Sequence, residues 1–280
     1  LSTFYARIST PVLTDLQLDF GGAQVYDVYP NPLPDLFSGS QVIITGRYRQ
    51  GGAQVVTLQG SVNGQPQTLR FDDQAFVEDS RPIRNAPVGL PRLWATRKIG
   101  YLLNQIRLKG NDKELVDQIV RLSIRYGIVT PYTSYLVTEP MPLGAQEQER
   151  IANDAFGQVQ EAPLESSGKS AVDRADQEGQ MQSAEVAPAI PAGGGSGIPG
   201  SEGAAVRVVG TRTFILQEGT WIDTTYDPQA TAAQQVLFLS EDYYKLLEAR
   251  PELAPALALG DRVSVVVDGQ AFQVIAEGQV

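Results

Sequence analysis

The chain has 280 residues, a net charge of −10, 42% hydrophobic residues, and neither cysteine nor histidine. That inventory excludes disulfides, thiolate nucleophiles, zinc–thiolate and iron–sulfur sites, Ser-His-Asp triads and most catalytic zinc centres. The acidic balance, with no basic run, argues against a nucleic-acid partner, and no run approaches the roughly 18 apolar residues of a membrane span.

Leu1 opens directly into a strand-like pattern with no charged leader region. A start without Met in mid-pattern has the look of a fragment or a processed product. Residues 1–90 carry the marks of antiparallel β structure. Val12, Leu16, Leu18 and Phe20 alternate with Gln17 and Asp19, as in a half-buried strand. Gly21-Gly22 turns, Val25–Tyr29 is a short strand stopped by Pro30, and PNPLPDLFSGS is too punctuated by proline to form an element. Gln41–Tyr48 and Gln54–Val62 are further strands, Asn63-Gly64 is a strong hairpin signal, and Gln67–Phe71 returns. Short strands with frequent turns indicate a sandwich. Five or six strands are too few to close one, so the missing strands are expected from elsewhere in a parent protein.

Leu93–Val137 is the best-patterned stretch and predicts a helical hairpin followed by a strand. Pro91 suits a first helical turn. Leu93, Trp94, Ile99, Leu102, Leu103 and Ile106 form one apolar face, and Arg92, Arg97, Lys98, Asn104, Gln105 and Arg107 fill the rest. Gly110 ends the helix. Asn111 is the expected N-cap of the second helix, with Glu114 three residues on. Leu115, Ile119, Leu122 and Tyr126 follow on one side, with Val116, Val120 and Ser123 beside them. Gly127 is the expected left-handed C-terminal residue and Ile128 its hydrophobic contact. Tyr132–Val137 has strand propensity, and Pro131 directs it to an edge or bend.

From Thr138 to Glu202 there are 11 acidic and 3 basic residues, so this segment carries −8 of the −10. Gln146–Gln158 predicts a polar helix with Ile151 and Phe156 as its large apolar contacts, and Ser170–Glu185 a second weak helix. APAIPAGGGSGIPGSEG has the composition of a flexible linker; its glycines lack the Lys and the strand–helix context of a phosphate loop. Residues 205–280 predict a small α+β unit. Strands are expected at Val206–Val209, Thr211–Leu216, Trp221-Ile222, Gln235–Leu239, Arg262–Val267 and Ala271–Ile275. Ser240 caps a helix burying Tyr243, Tyr244, Leu246 and Leu247, and Asp268-Gly269 forms a type I′-like turn. The expected fold class is therefore α+β. It comprises an incomplete antiparallel β-sandwich with a packed helical hairpin (1–137), an acidic segment and linker (138–204), and a small C-terminal α+β domain (205–280).

Candidate sites are few. Thr130, Tyr132, Thr133 and Ser134 put hydroxyls around Pro131. They could meet a partner on an edge strand, or satisfy the backbone of a proline-broken strand. Asp72-Asp73 with Glu78 and Asp79 offers oxygens to a hard cation, as does Asp223 with Asp227 near Thr224 and Thr225, but neither has the spacing of a calcium loop. Both clusters equally suit solvated turns, and the Asp223–Asp227 pair could also do general acid/base work. Trp94 and Trp221 could anchor an interface or fill a core. No residue presents a catalytic, cofactor-binding or metal-binding pattern.

YDVYPNPLPDLFSGSQVIITGRY (Tyr26–Tyr48), LPRLWATRKIGYLLNQIR (Leu90–Arg107) and LVDQIVRLSIRYGIVTPYTSYLV (Leu115–Val137) resemble the part that follows the von Willebrand A domain in bacterial relatives of inter-alpha-trypsin inhibitor heavy chains. VGTRTFILQEGTWIDTTYDP and YYKLLEARPELAPALALGDRV resemble the tail of longer bacterial members. The resemblance implies a secreted or cell-surface bacterial protein that works by binding, with a VIT domain and an A domain upstream. It places a divalent cation only in that upstream A domain, since the DxSxS loop that would hold it does not occur here, and no cofactor in this chain. The implied partners are the upstream VIT/A-domain portion of the same protein or another chain, and a protein or matrix ligand. The implied role is non-catalytic: a support that positions the A domain. A self-processing or hydrolytic protein acting near Asp227, where the family's cleaved Asp-Pro is followed by His and this chain has Gln229, is the first alternative. A subunit of a multi-chain surface assembly held by strand complementation is the second.

Overall fold

A computed structural model describes residues 11–77, 89–133, 144–161, 168–186 and 206–276. The chain is α+β. Its N-terminal strands are β1 (Pro11–Asp19), β2 (Val25–Tyr29), β3 (Leu36–Phe37), β4 (Thr45–Tyr48), β5 (Gly52–Val62) and β6 (Gln65–Phe76). They form an antiparallel sheet in the order β3-β1-β5-β6 and a separate β2–β4 pair. Asn63 and Gly64 both take positive φ, 50° and 77°, which the type I′ turn between β5 and β6 requires. Ile43 and its neighbours in Gln41–Ile44 do not extend β4 as the sequence pattern suggested; pairing starts at Thr45.

The helical hairpin forms as expected. Helix α1 (Leu90–Lys109) carries Pro91 in its first turn and buries Leu93, Trp94, Ile99, Leu102, Leu103 and Ile106. Helix α2 (Lys113–Tyr126) ends in a full Schellman motif. Gly127 has φ 60°, its N–H donates to the Ile124 carbonyl, and the Ile128 N–H donates to the Ser123 carbonyl at 2.9 Å. Four local expectations are corrected. The N-cap is Asp112 rather than Asn111, and its carboxylate accepts from the Glu114 N–H at 2.8 Å and from the Leu115 N–H. The buried face of α2 centres on Val116, Ile119, Val120, Ser123 and Ile124, with Leu115 and Leu122 at its margin. Arg92 and Arg97, expected on the polar face, are buried at 5% and 3% exposure, because their long side chains cap backbone carbonyls inside the fold. Residues 128–133 are not in a strand, and a turn at 131–133 is closed by two Thr hydroxyls that take the place of ladder pairing, while Ser134–Val137 of the expected strand lie outside the described residues.

The acidic segment contributes two packed helices. Helix α3 (Ala145–Glu161) lies against α2 and buries Ile151 together with Ala152 and Ala155, whose small side chains the apolar-contact count overlooked. Helix α4 (Lys169–Ser183) has no fully buried residue, yet it packs along α1. It does so because Gly100 leaves room: a Cβ there would come within 2.8 Å of Met181 Cβ, 2.9 Å of the Gln182 nitrogen and 3.0 Å of the Glu178 oxygen. Polar tethers complete the contact, with Gln182 Nε2 donating to the Gly100 carbonyl and Arg107 paired with Glu178 at 2.9 Å. Gly100→Ala is expected to push α4 off. The helix-propensity gain of about 1 kcal/mol is outweighed by overpacking of about 1–3 kcal/mol. Hydrogen exchange should show lost protection in Lys169–Ser183 and little change in the rest of α1.

The C-terminal strands are β7 (Val206–Val209), β8 (Arg212–Gln217), β9 (Thr220–Asp223), β10 (Ala233–Leu237), β11 (Val263–Val267) and β12 (Gln270–Ile275). They make one mixed sheet in the order β10-β12-β11-β9-β8-β7, with parallel pairing of β10 to β12 and of β11 to β9. Helix α5 (Glu241–Ala249) is capped by Ser240 and buries Tyr243, whereas Tyr244, expected inside, is 52% exposed. Asp268-Gly269 is the type I′ turn, with φ 49° and 77°. Successive residues of a strand face opposite ways, and β8 uses both sides. Phe214 enters a core with Trp221, Val263, Val265 and Phe272, while Ile215 enters the core of α1, α2 and α3. The strand is thus a wall shared by two cores, and Thr224 Oγ1 reinforces it by donating to the Arg125 carbonyl at 2.9 Å.

Candidate functional site

The hydroxyl cluster is an internal one. Thr130, Tyr132 and Thr133 are at most 4% exposed, and Ser134 lies outside the described residues. The Thr130 N–H donates to Thr133 Oγ1 at 3.0 Å, the Thr133 N–H returns to the Thr130 carbonyl at 3.0 Å, and the two hydroxyls share a hydrogen bond of 2.8 Å. Ser123 Oγ adds a longer contact to Thr130. The Thr130 and Thr133 hydroxyls are taken up by each other. The Tyr132 hydroxyl has no hydrogen-bond partner among the described residues, and burial first, then Glu178, pushes its pKa up to about 12. Beside the turn, a cleft of about 690 Å³ runs between α1 and α4, lined among others by Arg92, Thr96, Thr130, Pro131 and Met181.

The two carboxylates weighed together have separate jobs. Asp223 is fully buried and accepts from Arg212 Nη1 at 2.8 Å, from the Thr225 N–H at 2.9 Å and from Thr225 Oγ1 at 2.7 Å. Arg212 in turn donates to the Val266 carbonyl. Asp227 sits at the surface, where it accepts from the Ala145 N–H at 3.1 Å and from the Gln229 and Ala230 N–H groups. It therefore caps α3 from another part of the chain. The N–H of Ala145, then that of Gln229 and then that of Ala230, hold its carboxyl below the ordinary Asp range. A depressed pKa gives stability that is complete above the ordinary Asp value and lost as pH falls through the lowered one. Hydrogen exchange at Ala145 is therefore expected to accelerate only in strong acid, and Asp227→Asn should remove that pH dependence.

Asp72 and Asp73 lie in the exposed strand β6, where Asp72 pairs with Arg70 at 2.8 Å and Asp73 takes a φ of 56°. Glu78 and Asp79 fall outside the described residues, as does the glycine-rich stretch near Gly193–Gly203. No group of three or more Asp, Glu, His or Cys side chains suited to a metal ion occurs among the described residues. Trp94 and Trp221 are 5% and 8% exposed and belong to the two cores.

The feature that stands apart is a sheet face. Leu18, Leu58 and Leu69 are directly opposed across β1, β5 and β6, and Val56 opposes Phe71 in the next row. The reverse face is polar at matching positions, with Gln17, Gln59 and Thr68 in one row and Asp19, Thr57 and Arg70 in another. Such clean alternation is that of a sheet with one buried face. Here the apolar face is open at its outer strand among the described residues: Leu69 is 48% exposed and Phe71 45%, whereas Leu18, Val56 and Leu58 are partly buried. β6 also ends the sheet, so its outer edge is unpaired among the described residues. The alternation at 56, 58, 69 and 71 is visible in the sequence; what the sequence could not give is that its outer row, Leu69 and Phe71, stays exposed among the described residues.

The chain is α+β, many of its charged groups serve caps and ion pairs, and the outer rows of its N-terminal sheet expose apolar side chains. The chain is similar to inter-alpha-trypsin inhibitor heavy chains: 30% identical to human heavy chain H4 over 159 residues, 54% of this chain and 17% of that relative. It is 27% identical to human heavy chain H3 over 169 residues, 58% and 19% of the two chains, and 29% identical to pig heavy chain H2 over 149 residues, 49% and 16%. The matched region spans less than a fifth of the curated relatives' length. No family model matches. No helix among the described residues is long and apolar enough to cross a membrane.

Proposed function

We propose that this chain is a non-catalytic support segment of a secreted or cell-surface protein of the bacterial VIT/A-domain type, and that it positions an upstream A domain for binding a protein or matrix ligand. The observation that carries this reading is the apolar face of β1, β5 and β6, open along β6. Full burial of a large apolar side chain is worth about 1.5–3 kcal/mol, so a half-exposed Leu69 and Phe71 each forgo about half of that, and a paired polar face shows which side the strands were patterned to hide. Polypeptide preceding Leu1 is the occupant, either a second sheet or added strands. In this reading a divalent cation is held by the upstream A domain and not by this chain. The self-processing alternative loses ground at Asp227, whose carboxylate is held ionised by three backbone N–H groups and is poorly suited to donate a proton.

The test is a Leu69→Asp/Phe71→Asp variant mixed with the preceding polypeptide. Both side chains are already half in water, so the variant is expected to keep its thermal midpoint within a few degrees, a shift of about 1 kcal/mol, and to lose association by at least tenfold. Undiminished association would contradict the reading. Association with an unrelated chain in place of the preceding polypeptide would favour the multi-chain alternative.

A further inference from the structure

A second surface is assembled from residues far apart in the chain. Arg47 of β4 and Arg49 just after it both lie over the Tyr26 ring of β2, with guanidinium carbons 5.7 and 5.4 Å from its centroid. Arg47 also lies 5.2 Å from the Trp94 ring of α1. Trp94 meets Tyr126 of α2 edge-on at 6.3 Å, and Arg125 lies over Tyr126 at 5.7 Å. Cations and rings therefore follow one another in a row, Arg49, Tyr26, Arg47, Trp94, Tyr126 and Arg125, across the β2–β4 pair and two helices. Lys98 flanks Trp94 at 5.5 Å and is neutralised by Asp27 at 2.7 Å. Arg47, Arg49 and Arg125 are exposed, and no carboxylate pairs with their guanidinium groups among the described residues. Three arginines in a row without a carboxylate partner among the described residues are out of keeping with a chain of net charge −10, since counter-charges are abundant elsewhere on it.

The rings hold these guanidinium groups in place without using their N–H edges. A held fork is prepaid for bidentate contact with a carboxylate. We propose that the row is a docking stripe for a short Asp/Glu-rich peptide segment of a partner protein. A short ligand fits the electrostatics better than a long polyanion. At physiological salt the field of the remaining acid is screened within about 8 Å, so a few carboxylates laid on the row feel mainly the arginines. A long polysaccharide or nucleic acid would run past three arginines onto surface with little net charge to hold it, because −8 of the −10 lies between Thr138 and Glu202.

The experiment is fluorescence anisotropy of a labelled hexaglutamate peptide with the full chain. Binding is expected to weaken severalfold between ~50 and ~200 mM salt. Arg47→Ala/Arg49→Ala is expected to reduce affinity by at least about tenfold, and Arg125→Ala by about threefold to tenfold. Tyr26→Leu leaves every charge in place and is expected to weaken binding by about threefold, because the forks are no longer held. Arg70→Ala, away from the row and already paired with Asp72, should change nothing. Thermal unfolding of each variant verifies that it is folded. No binding by the intact chain, or equal binding by the Arg47/Arg49 variant, would overturn the stripe. A heparin oligosaccharide of matched charge binding more tightly than the peptide would overturn the choice of partner.

Discussion

Asp223→Ala is expected to destabilise the chain by about 3–5 kcal/mol, the cost of removing one member of a buried ion pair. The carboxylate is fully buried between β8 and the turn after β9, and it holds Arg212, the Thr225 N–H and the Thr225 hydroxyl. Without it, Arg212 keeps only its bond to the Val266 carbonyl on β11, and the Thr225 N–H loses its acceptor. The guanidinium is about one-third exposed, so water recovers part of the loss and the lower end of the range applies. Even that is a large share of a typical stability of about 5–15 kcal/mol. Because β8 is the wall between two cores, the loss should appear as one cooperative transition in which both cores melt earlier. Asp223→Asn, which retains the shape and one acceptor, should cost visibly less. Asp227→Ala, removing an exposed cap, should cost less again. Chemical denaturation with tryptophan fluorescence follows all three, since Trp94 and Trp221 report on different cores.

Arg97→Met is the second large effect, expected at about 2–4 kcal/mol from carbonyls left without donors. Arg97 is 3% exposed and sits at a junction of three segments. Its Nε donates to the Ala184 carbonyl at 2.8 Å, at the end of α4, and its Nη1 to the Tyr29 carbonyl at 3.2 Å, at the end of β2. Nη1 also donates to the Ile43 carbonyl, just before β4. Burial lowers the guanidinium pKa while Glu185 raises it again, and an arginine stays charged either way. Methionine keeps the length of the stem and loses every donor, so the contribution measured is that of the hydrogen bonds. Arg97→Lys should rescue little, because a point ammonium cannot reach carbonyls arranged for a planar fork. Limited proteolysis separates this from a general loss of stability: α4 should become cleavable before the hairpin does.

How much of this was legible in the sequence depends on how local the cause is. The hairpin of α1 and α2 announced itself through apolar spacing, Pro91, and a glycine with a left-handed φ at 127. The turns at Asn63-Gly64 and Asp268-Gly269 did so by residue type. The N-cap was misplaced by one residue because Asn111 and Asp112 are both good caps, and only the geometry selects between them. Arg92 and Arg97 read as surface, since an arginine at a polar position gives no sign that carbonyls converge on it, from the end of α2 on Arg92 and from β2 and the end of α4 on Arg97. The turn at Thr130–Thr133 read as a strand because β-propensity measures fit to a pleated surface, and here paired hydroxyls supplied the alternative. Helix α4 read as weak because its anchorage lies in Gly100 of another helix. The arginine row was invisible for the same reason: positions 47, 49 and 125 meet only through Tyr26, Trp94 and Tyr126.

The central claim is that β1, β5 and β6 present a face made to be covered by the rest of a longer protein. Amide hydrogen exchange of β6, compared between this chain alone and a protein that also carries the preceding polypeptide, addresses it most directly. The account predicts that the amides of Gln67, Leu69 and Phe71 slow by at least about tenfold in the longer protein, equivalent to about 1.4 kcal/mol of added local stability. Equal exchange in the two, with the upstream domains folded and attached, would contradict it.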